Sequence, residues 1–260
     1  MINCFKELYK FRELLIALTK REIKVRYKQT TLGAAWAILQ PFSLMLIFSL
    51  VFGVFLGLES QELPYPIFYY SALLTWLFFS TSISFGSQAV INNSNLVSKI
   101  YFPREVLPFA SVGAAILDFA VAGLIFILMM LFYKLPFSPN LIFILPICAI
   151  LIFFTLSVVL FTSALVVIWR DLKFVVPLII QIWMFASPII YPVSKVPQNL
   201  RFLYMLNPMA VIIENFRRVT LFAKPPVLSE ILIAFFVSII LFFISYKFFK
   251  IKERSFADII

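Results

Sequence analysis

The side chains that carry most enzyme chemistry are scarce in this chain. Its 260 residues include no histidine, which excludes imidazole bases, imidazole metal ligands and histidine proton relays together. No G-x-x-x-x-G-K-[ST] motif occurs, so no loop of the chain is built to hold the phosphates of ATP. The two cysteines, Cys4 and Cys148, lie in a basic and an apolar stretch, too different in depth to predict a disulfide. We therefore predict no catalytic residue, no metal site and no bound cofactor.

Asp118 is the one acidic residue placed deep within a long apolar segment. A charge at the centre of a bilayer costs about 2.5–3.5 kcal/mol on insertion scales, so it needs a partner or a function. One interpretation is a residue that faces a transport path or couples motion. The other is a structural pair, or a protonated carboxyl hydrogen-bonded to a neighbouring helix. A proton relay is disfavoured, because no further acid, base or histidine is predicted at that depth.

The composition predicts a membrane protein. The chain is 63% hydrophobic and only 13% charged, with a mean hydropathy of +1.03, whereas soluble domains carry about 25% charged residues. The net charge of +10 would suggest nucleic acid as a partner in a soluble protein. Here it fits better with Lys and Arg collecting in the cytoplasmic segments of a membrane protein, so no nucleic-acid partner is predicted.

The predicted fold is an all-α polytopic membrane protein with six transmembrane helices. Each apolar segment is near the roughly 20 residues that cross a hydrocarbon core. The six predicted spans are 34–57, 67–90, 106–132, 141–168, 174–191 and 228–249. We divide the chain into an N-terminal segment 1–33, a transmembrane domain 34–253 and a tail 254–260.

The distribution of basic residues predicts the orientation. If both termini are cytoplasmic, most of the 22 Lys and Arg residues lie in inner segments, as the positive-inside rule requires. The outer segments then keep only Lys134, Lys195, Arg201, Arg217, Arg218 and Lys224.

Residues 5–28 predict a basic amphipathic helix lying in the membrane interface. Its basic side includes Lys10, Arg21, Lys24 and Lys28, and Leu15 and Leu18 lie on the apolar side. Two interpretations are open: an anchor that only orients the chain, or a docking surface for a cytoplasmic partner. Gly33 marks the joint between this helix and the first span.

Residues 91–105 form a cytoplasmic loop with a short predicted helix. Asn and Ser at 92–95 favour a turn and a helix cap, and Leu96, Val97 and Ile100 offer an apolar face. The alternatives are a turn lying on lipid and an element that docks on protein, which we favour. The candidate coupling residues are Asn95, Leu96, Val97, Ser98, Lys99, Ile100 and Tyr101.

The outer segment 192–227 predicts two short helices that break at Asn207–Pro208. Apolar helices shorter than a span are typical of re-entrant or interfacial segments, at a gate or in a passive cap. Polar and aromatic residues of the spans are further candidates for a path, although serines also join helices and Trp residues also line interfaces. The candidate channel or gate residues are Trp36, Gln40, Ser84, Gln88, Asp118, Gln181, Trp183, Asn207 and Pro208.

Four stretches resemble the membrane subunits of type-2 ABC exporters for O-antigen, capsular polysaccharide or teichoic acid. They are KREIKVRYKQTTLGAAWAILQP at 20–41, NNSNLVSKIYFPRE at 92–105, WRDLKFVVPLIIQIWMFASPIIYP at 169–192 and LNPMAVIIENFRR at 206–218.

The resemblance implies a permease that is not an enzyme, in the inner membrane of a bacterium. It implies a homodimer whose two copies each bind a separate nucleotide-binding ATPase subunit, which holds ATP and Mg. Residues 5–28 would be the interface helix and 92–103 the coupling helix seated on that ATPase. A lipid-linked polysaccharide would pass between the two permeases.

Other functions remain as alternatives. In the first alternative, a permease of the same architecture exports a drug or a small lipid. A membrane-embedded acyl or glycosyl transferase is disfavoured because no catalytic set of polar residues is present. An ion-coupled flippase is disfavoured because the intramembrane charges it needs are missing.

Overall fold

The computed structural model describes residues 9–27, 33–57 and 63–259. All regular structure in these residues is helical, which confirms the all-α class. The α-helices are α1 (Arg12–Tyr27), α2 (Trp36–Phe48), α3 (Tyr65–Gly86), α4 (Ser94–Lys99), α5 (Val106–Phe132), α6 (Ile144–Ile168), α7 (Leu172–Phe185), α8 (Gln198–Met205), α9 (Pro208–Thr220), α10 (Leu228–Glu253) and α11 (Phe256–Ile259). Short 3₁₀ segments occupy Gly33–Ala35, Ile91–Asn93, Pro139–Phe143 and Val193–Lys195.

Five helical segments of the described residues are long and apolar enough to cross a membrane. They are Trp36–Phe55, Tyr65–Gly86, Val106–Phe132, Pro139–Ile168 and Leu228–Glu253. These segments match five of the six predicted spans to within a few residues. The first one is irregular: Pro41 lies inside α2, and the helix continues as a π-helix over Ser49–Phe55.

The sixth predicted span, 174–191, is only partly helical. Its helix α7 has 14 residues, about 21 Å at 1.5 Å per residue, which is shorter than the hydrocarbon core. The prediction of helix up to 191 is wrong, because turns follow Phe185. Pro188 disfavours helical backbone at the preceding residue and cannot donate a helical hydrogen bond.

Helix α3 is the centre of the bundle. It packs against α2, α5, α6, α7 and α9, and most of its side chains are buried. The last span, α10, packs along α6. Helix α9 is inserted among α3, α6 and α10, so the core contains a short helix as well as the long ones.

The contacts divide the bundle into two ends. Helix α1, the α3–α5 connection, the α6–α7 turn and α11 meet at one end, which we call the basic end. There Arg21 of α1 donates to Asn93, and Arg170 donates to the carbonyl of Ile259. The opposite end, which we call the far end, joins Tyr65 to the carbonyl of Ile190 over 2.8 Å.

Candidate functional site

A cavity of about 760 Å³ lies between α1, α2, α3 and α5. Three of the predicted channel residues, Trp36, Gln40 and Asp118, line it together. Charged and amide side chains, including Arg21 and Asn92, line the cavity as well. Apolar side chains complete the lining, among them Leu74, Leu77, Phe78 and Phe119. The cavity therefore offers both polar and apolar surface.

Asp118 has its partners on α1. Arg26 Nη1 donates to Asp118 Oδ2 over 2.8 Å, and the Tyr27 hydroxyl donates to Oδ1 over 2.5 Å. Burial, together with this hydrogen bond, raises the pKa of Tyr27, so the phenol remains a donor. The carboxylate of Asp118 is thus paired, and Asp118 also lines the cavity. A role of Asp118 in transport stays a prediction.

Arg26 is held on three sides. Its side chain is 7% exposed, and Nη2 donates to the carbonyl of Ser111 over 3.3 Å. Its guanidinium also lies 4.2 Å from the centre of the Phe85 ring, a cation–π distance. We call Arg26, Tyr27 and Asp118 the α1–α5 latch.

Helix α1 packs closely on α5 beside the latch. A Cβ added at Gly113 would lie 3.1 Å from Thr19 Oγ1, so this glycine permits the approach. Leu18 is buried, whereas Lys10 and Lys24 are exposed, and the Arg21 side chain is 42% exposed. Lys28 and Cys4 lie outside the described residues. Gly33 has a φ of +51°, which favours glycine at this joint.

The predicted coupling helix is present as α4, but its apolar face is divided. Val97 is buried against the core, whereas Ser98 and Lys99 are exposed. Ile100 is 55% exposed and Tyr101 is 96% exposed. The expectation that all the apolar residues here face outward is therefore wrong for Val97, which fixes α4 to the bundle. The remaining candidates, Asn95 and Leu96, are exposed and partly buried respectively.

The predicted helix cap is also different. The Asn93 side chain makes no capping hydrogen bond to α4. Its Nδ2 donates backwards to the carbonyl of Ala89 over 2.7 Å, and its Oδ1 accepts from Arg21. The asparagine therefore ties this turn to α1 rather than starting α4.

The far end contains the predicted break between two short helices. Asn207 caps α9 by accepting from the N–H of Met209 over 3.1 Å, and Pro208 is the first residue of α9. The same Asn207 oxygen accepts from Trp183 Nε1 over 3.1 Å. Its amide also donates to Ser187 Oγ over 3.0 Å. Asn207 thus joins α7 and the turns after it to α9.

The other predicted channel residues are not collected in one place. Ser84 donates to the carbonyl of Ser80 on its own helix, and Gln88 lies beside it, 3.5 Å from the carbonyl of Ser84. Trp183 packs edge-on against Phe79 at 5.2 Å. Gln181 is exposed on α7, as Gln40 is on α2.

Sequence reasoning missed Arg217. This arginine lies in the predicted outer segment 192–227, yet it is only 1% exposed. Its guanidinium donates to the carbonyls of Pro188 over 2.6 Å and Ile189 over 2.9 Å, and lies 3.7 Å from the centre of the Phe68 ring.

The missed residues have weak sequence signals. Arg26 lies within a run of basic residues, and nothing in that run distinguishes it from its exposed neighbours. Arg217 lies in α9, whose mixture of apolar and polar residues is that of an amphipathic helix. Such a pattern is typical of a helix at the surface. The roles of Arg26 and Arg217 depend on which helices pack together. The local sequence does not determine this packing.

Comparison with known proteins places the chain in a family. Residues 13–221 match the model of the ABC-2 type transporter family. The chain belongs to the ABC-2 type transporter family. It is therefore an integral membrane protein, in agreement with its five long apolar helices.

Three named proteins that resemble this chain are the following. The O-antigen export system permease protein RfbA of Myxococcus xanthus is 31% identical, over 99% of each chain. A protein of the same name from Klebsiella pneumoniae is 28% identical over 95% of each chain. The polysialic acid transport protein KpsM of Escherichia coli is 24% identical over 82% of each chain.

Proposed function

We propose that this chain is the membrane subunit of an ATP-driven exporter of polysaccharide of the O-antigen type. The observation that carries the substrate class is the similarity to an O-antigen export permease along nearly the whole of both chains. The chain itself has no phosphate-binding motif for ATP. The energy for transport must therefore come from a separate nucleotide-binding subunit.

The proposed docking surface for this ATPase is the basic end. Ile100 and Tyr101 are large apolar side chains that extend away from the bundle next to α4. Exposed apolar residues beside the charged Lys99 suit a protein interface better than water. Helix α1, with Lys10 and Lys24 exposed, provides the second proposed contact.

We propose six membrane crossings, with both termini in the cytoplasm of a bacterium and the protein in its inner membrane. The segment 172–190 supports a sixth crossing, because it begins beside Arg170 at the basic end and ends at Ile190, the partner of Tyr65, at the far end. Helix α9 and the capped turn before it are the proposed re-entrant element.

The proposed path for polysaccharide lies between two copies of the chain. Gln181 is exposed on α7, beside exposed apolar residues such as Leu178 and Ile182. An amide facing lipid leaves its hydrogen bonds unmade, which is costly in hydrocarbon. A second permease copy, and a wet path along it, would satisfy this amide.

The cavity between α1, α2, α3 and α5 is the proposed entry site for the lipid end of the substrate. Its lining combines charged and amide side chains with apolar ones. Such a lining suits a molecule with a polar head and an apolar chain.

Crosslinking to the ATPase tests the proposal. In a chain without its native cysteines, Ser98→Cys at the basic end should form a crosslink to the ATPase in the purified, exporting complex. Ser229→Cys is the matched control, because it is also exposed but lies at the far end. Export of polysaccharide to the cell surface should require both subunits. Full export by a complex in which neither α4 nor α1 can be crosslinked to the ATPase would contradict the docking assignment.

A further inference from the structure

The C-terminal end of the last span, α10, is joined to α4 by hydrogen bonds of Arg104. Glu253, the last residue of α10, accepts from the backbone N–H of Arg104 over 2.7 Å. Arg104 Nη1 donates to the carbonyl of Glu253 over 3.1 Å, and Nη2 donates to the carbonyl of Val97 in α4 over 3.1 Å. One guanidinium therefore joins α4 directly to α10.

A buried ion pair fixes the same two chain segments next to this contact. Glu105 is fully buried, and its carboxylate accepts from Lys250 Nζ over 2.8 Å. Lys250 also lies 3.1 Å from Glu253. Burial raises the pKa of Glu105 above its ordinary value, against the effect of the bond to Lys250. Because Lys250 contacts both Glu105 and Glu253, the start of α5 and the end of α10 are held next to each other.

The C-terminal helix α11 covers the inner side of α4. It packs against α4 and α6, and Phe256 is fully buried with its ring edge-on to Phe249 at 5.4 Å. Arg170 of the α6–α7 turn donates to the carbonyl of Ile259 over 3.3 Å. Tyr101, which follows α4, remains exposed.

Helix α4 needs this support for a physical reason. It has six residues, and isolated helices shorter than about 12–15 residues are marginal in water. The connection from α4 to α5 is not helical and contains Pro103. Without the contacts to Arg104 and α11, a push on α4 would be absorbed in this connection rather than passed to a span.

We propose that Arg104 and residues 253–259 form a brace that holds α4 against the last span. Arg104 and Glu253 are positioning residues: displacement of α4 moves α10 as well as α5. The role of α4 as the contact of an ATPase rests on the proposed function, whereas the brace itself can be tested in the permease alone.

Amide hydrogen exchange of residues 94–100 in the full-length permease, in lipid nanodiscs, tests the brace. Arg104→Ala, Glu253→Ala and a chain ending at Ser255 should each exchange at least about tenfold faster there, as expected for the loss of a charge-assisted hydrogen bond or of buried packing. Arg254→Ala is the matched control, because Arg254 is exposed beside Glu253. Exchange in α9 should stay unchanged, which excludes general unfolding. Rates equal to those of Arg254→Ala in all three variants would overturn the brace.

The ratio of polysaccharide exported to ATP hydrolysed is the second readout, measured in the complex with the ATPase. The brace variants should lower this ratio several-fold while hydrolysis continues. A merely structural loss would lower the amount of complex and leave the ratio unchanged. If the wild-type permease neither binds an ATPase nor exports, the proposed function fails, but the exchange rates still decide the brace.

Discussion

Arg217 is a charged side chain used as a structural clamp. It satisfies the carbonyls of Pro188 and Ile189 in the turns where helix α7 has ended, and these groups have no helical partner. A single guanidinium, with five donors in a fixed plane, can serve several carbonyls at once, which lysine cannot do in the same way. The irregular segment between α7 and α8 is therefore held by one residue of α9.

Removal of Arg217 should destabilise the far end. Arg217→Ala leaves several buried carbonyls unpaired, so we expect a loss of at least about 3 kcal/mol of stability and a clearly lower thermal unfolding midpoint in detergent. Arg217→Lys should lie between Ala and wild type. Arg218→Ala is the control, since Arg218 is only partly buried and its guanidinium donates to the carbonyl of Pro225 in the following loop. Equal midpoints for Arg217→Ala and Arg218→Ala would show that the clamp is not needed.

At the scale of elements, the α1–α5 latch decides where the N-terminal helix lies. The sequence predicts a helix lying on the membrane surface, yet Arg26 and Tyr27 reach Asp118 in the middle of α5. The Arg26–Asp118 pair lets the basic helix α1 approach α5, because Arg26 and the Tyr27 hydroxyl offset the desolvation free energy of Asp118.

Breaking the latch should release α1. Asp118→Asn and Arg26→Gln should each lower the unfolding midpoint and expose α1 to limited proteolysis, because each leaves an uncompensated charge inside the bundle. The double variant should lose clearly less than the sum of the two, since both charges are then gone. Lys24→Gln, at an exposed position of α1, should have no effect. Strictly additive losses in the double variant would contradict the pairing.

At the scale of the whole molecule, the two ends differ in construction. The basic end joins the ends of long helices to the short helices α4 and α11 through Arg104, Glu253 and Lys250, whereas the far end is built from turns and the two short helices α8 and α9. This asymmetry fits an end that receives force and an end that borders the exit of a transport path.

The orientation of these ends can be measured in intact cells. In a chain without native cysteines, Lys224→Cys at the far end should react with a membrane-impermeant maleimide added outside. Lys99→Cys, also exposed, should react only after the membrane is permeabilised. Labelling of Lys99→Cys alone in intact cells would show that the proposed orientation is inverted.

The predictions that depend on local sequence agree with the structure. The all-α class, five of the spans and the break at Asn207–Pro208 follow from apolar length and from turn residues, which act within a few positions of the chain. The predicted helix end at 191 is wrong, because the apolar run continues past Phe185 although Pro188 stops the helix.

The predicted exposure of Val97 is also wrong, because helical periodicity does not tell which side of a helix packs against the core.

By itself, the sequence determined that this is a membrane protein, that it lacks the G-x-x-x-x-G-K-[ST] motif, and that Asp118 needs a partner. These conclusions follow from transfer free energies and from the presence or absence of residue types. Only the tertiary structure decided that the partner is Arg26, that Arg217 is buried, and that Arg104 and Glu253 hold α4. Each of these contacts joins residues far apart in the chain, and their pairing depends on how the helices pack.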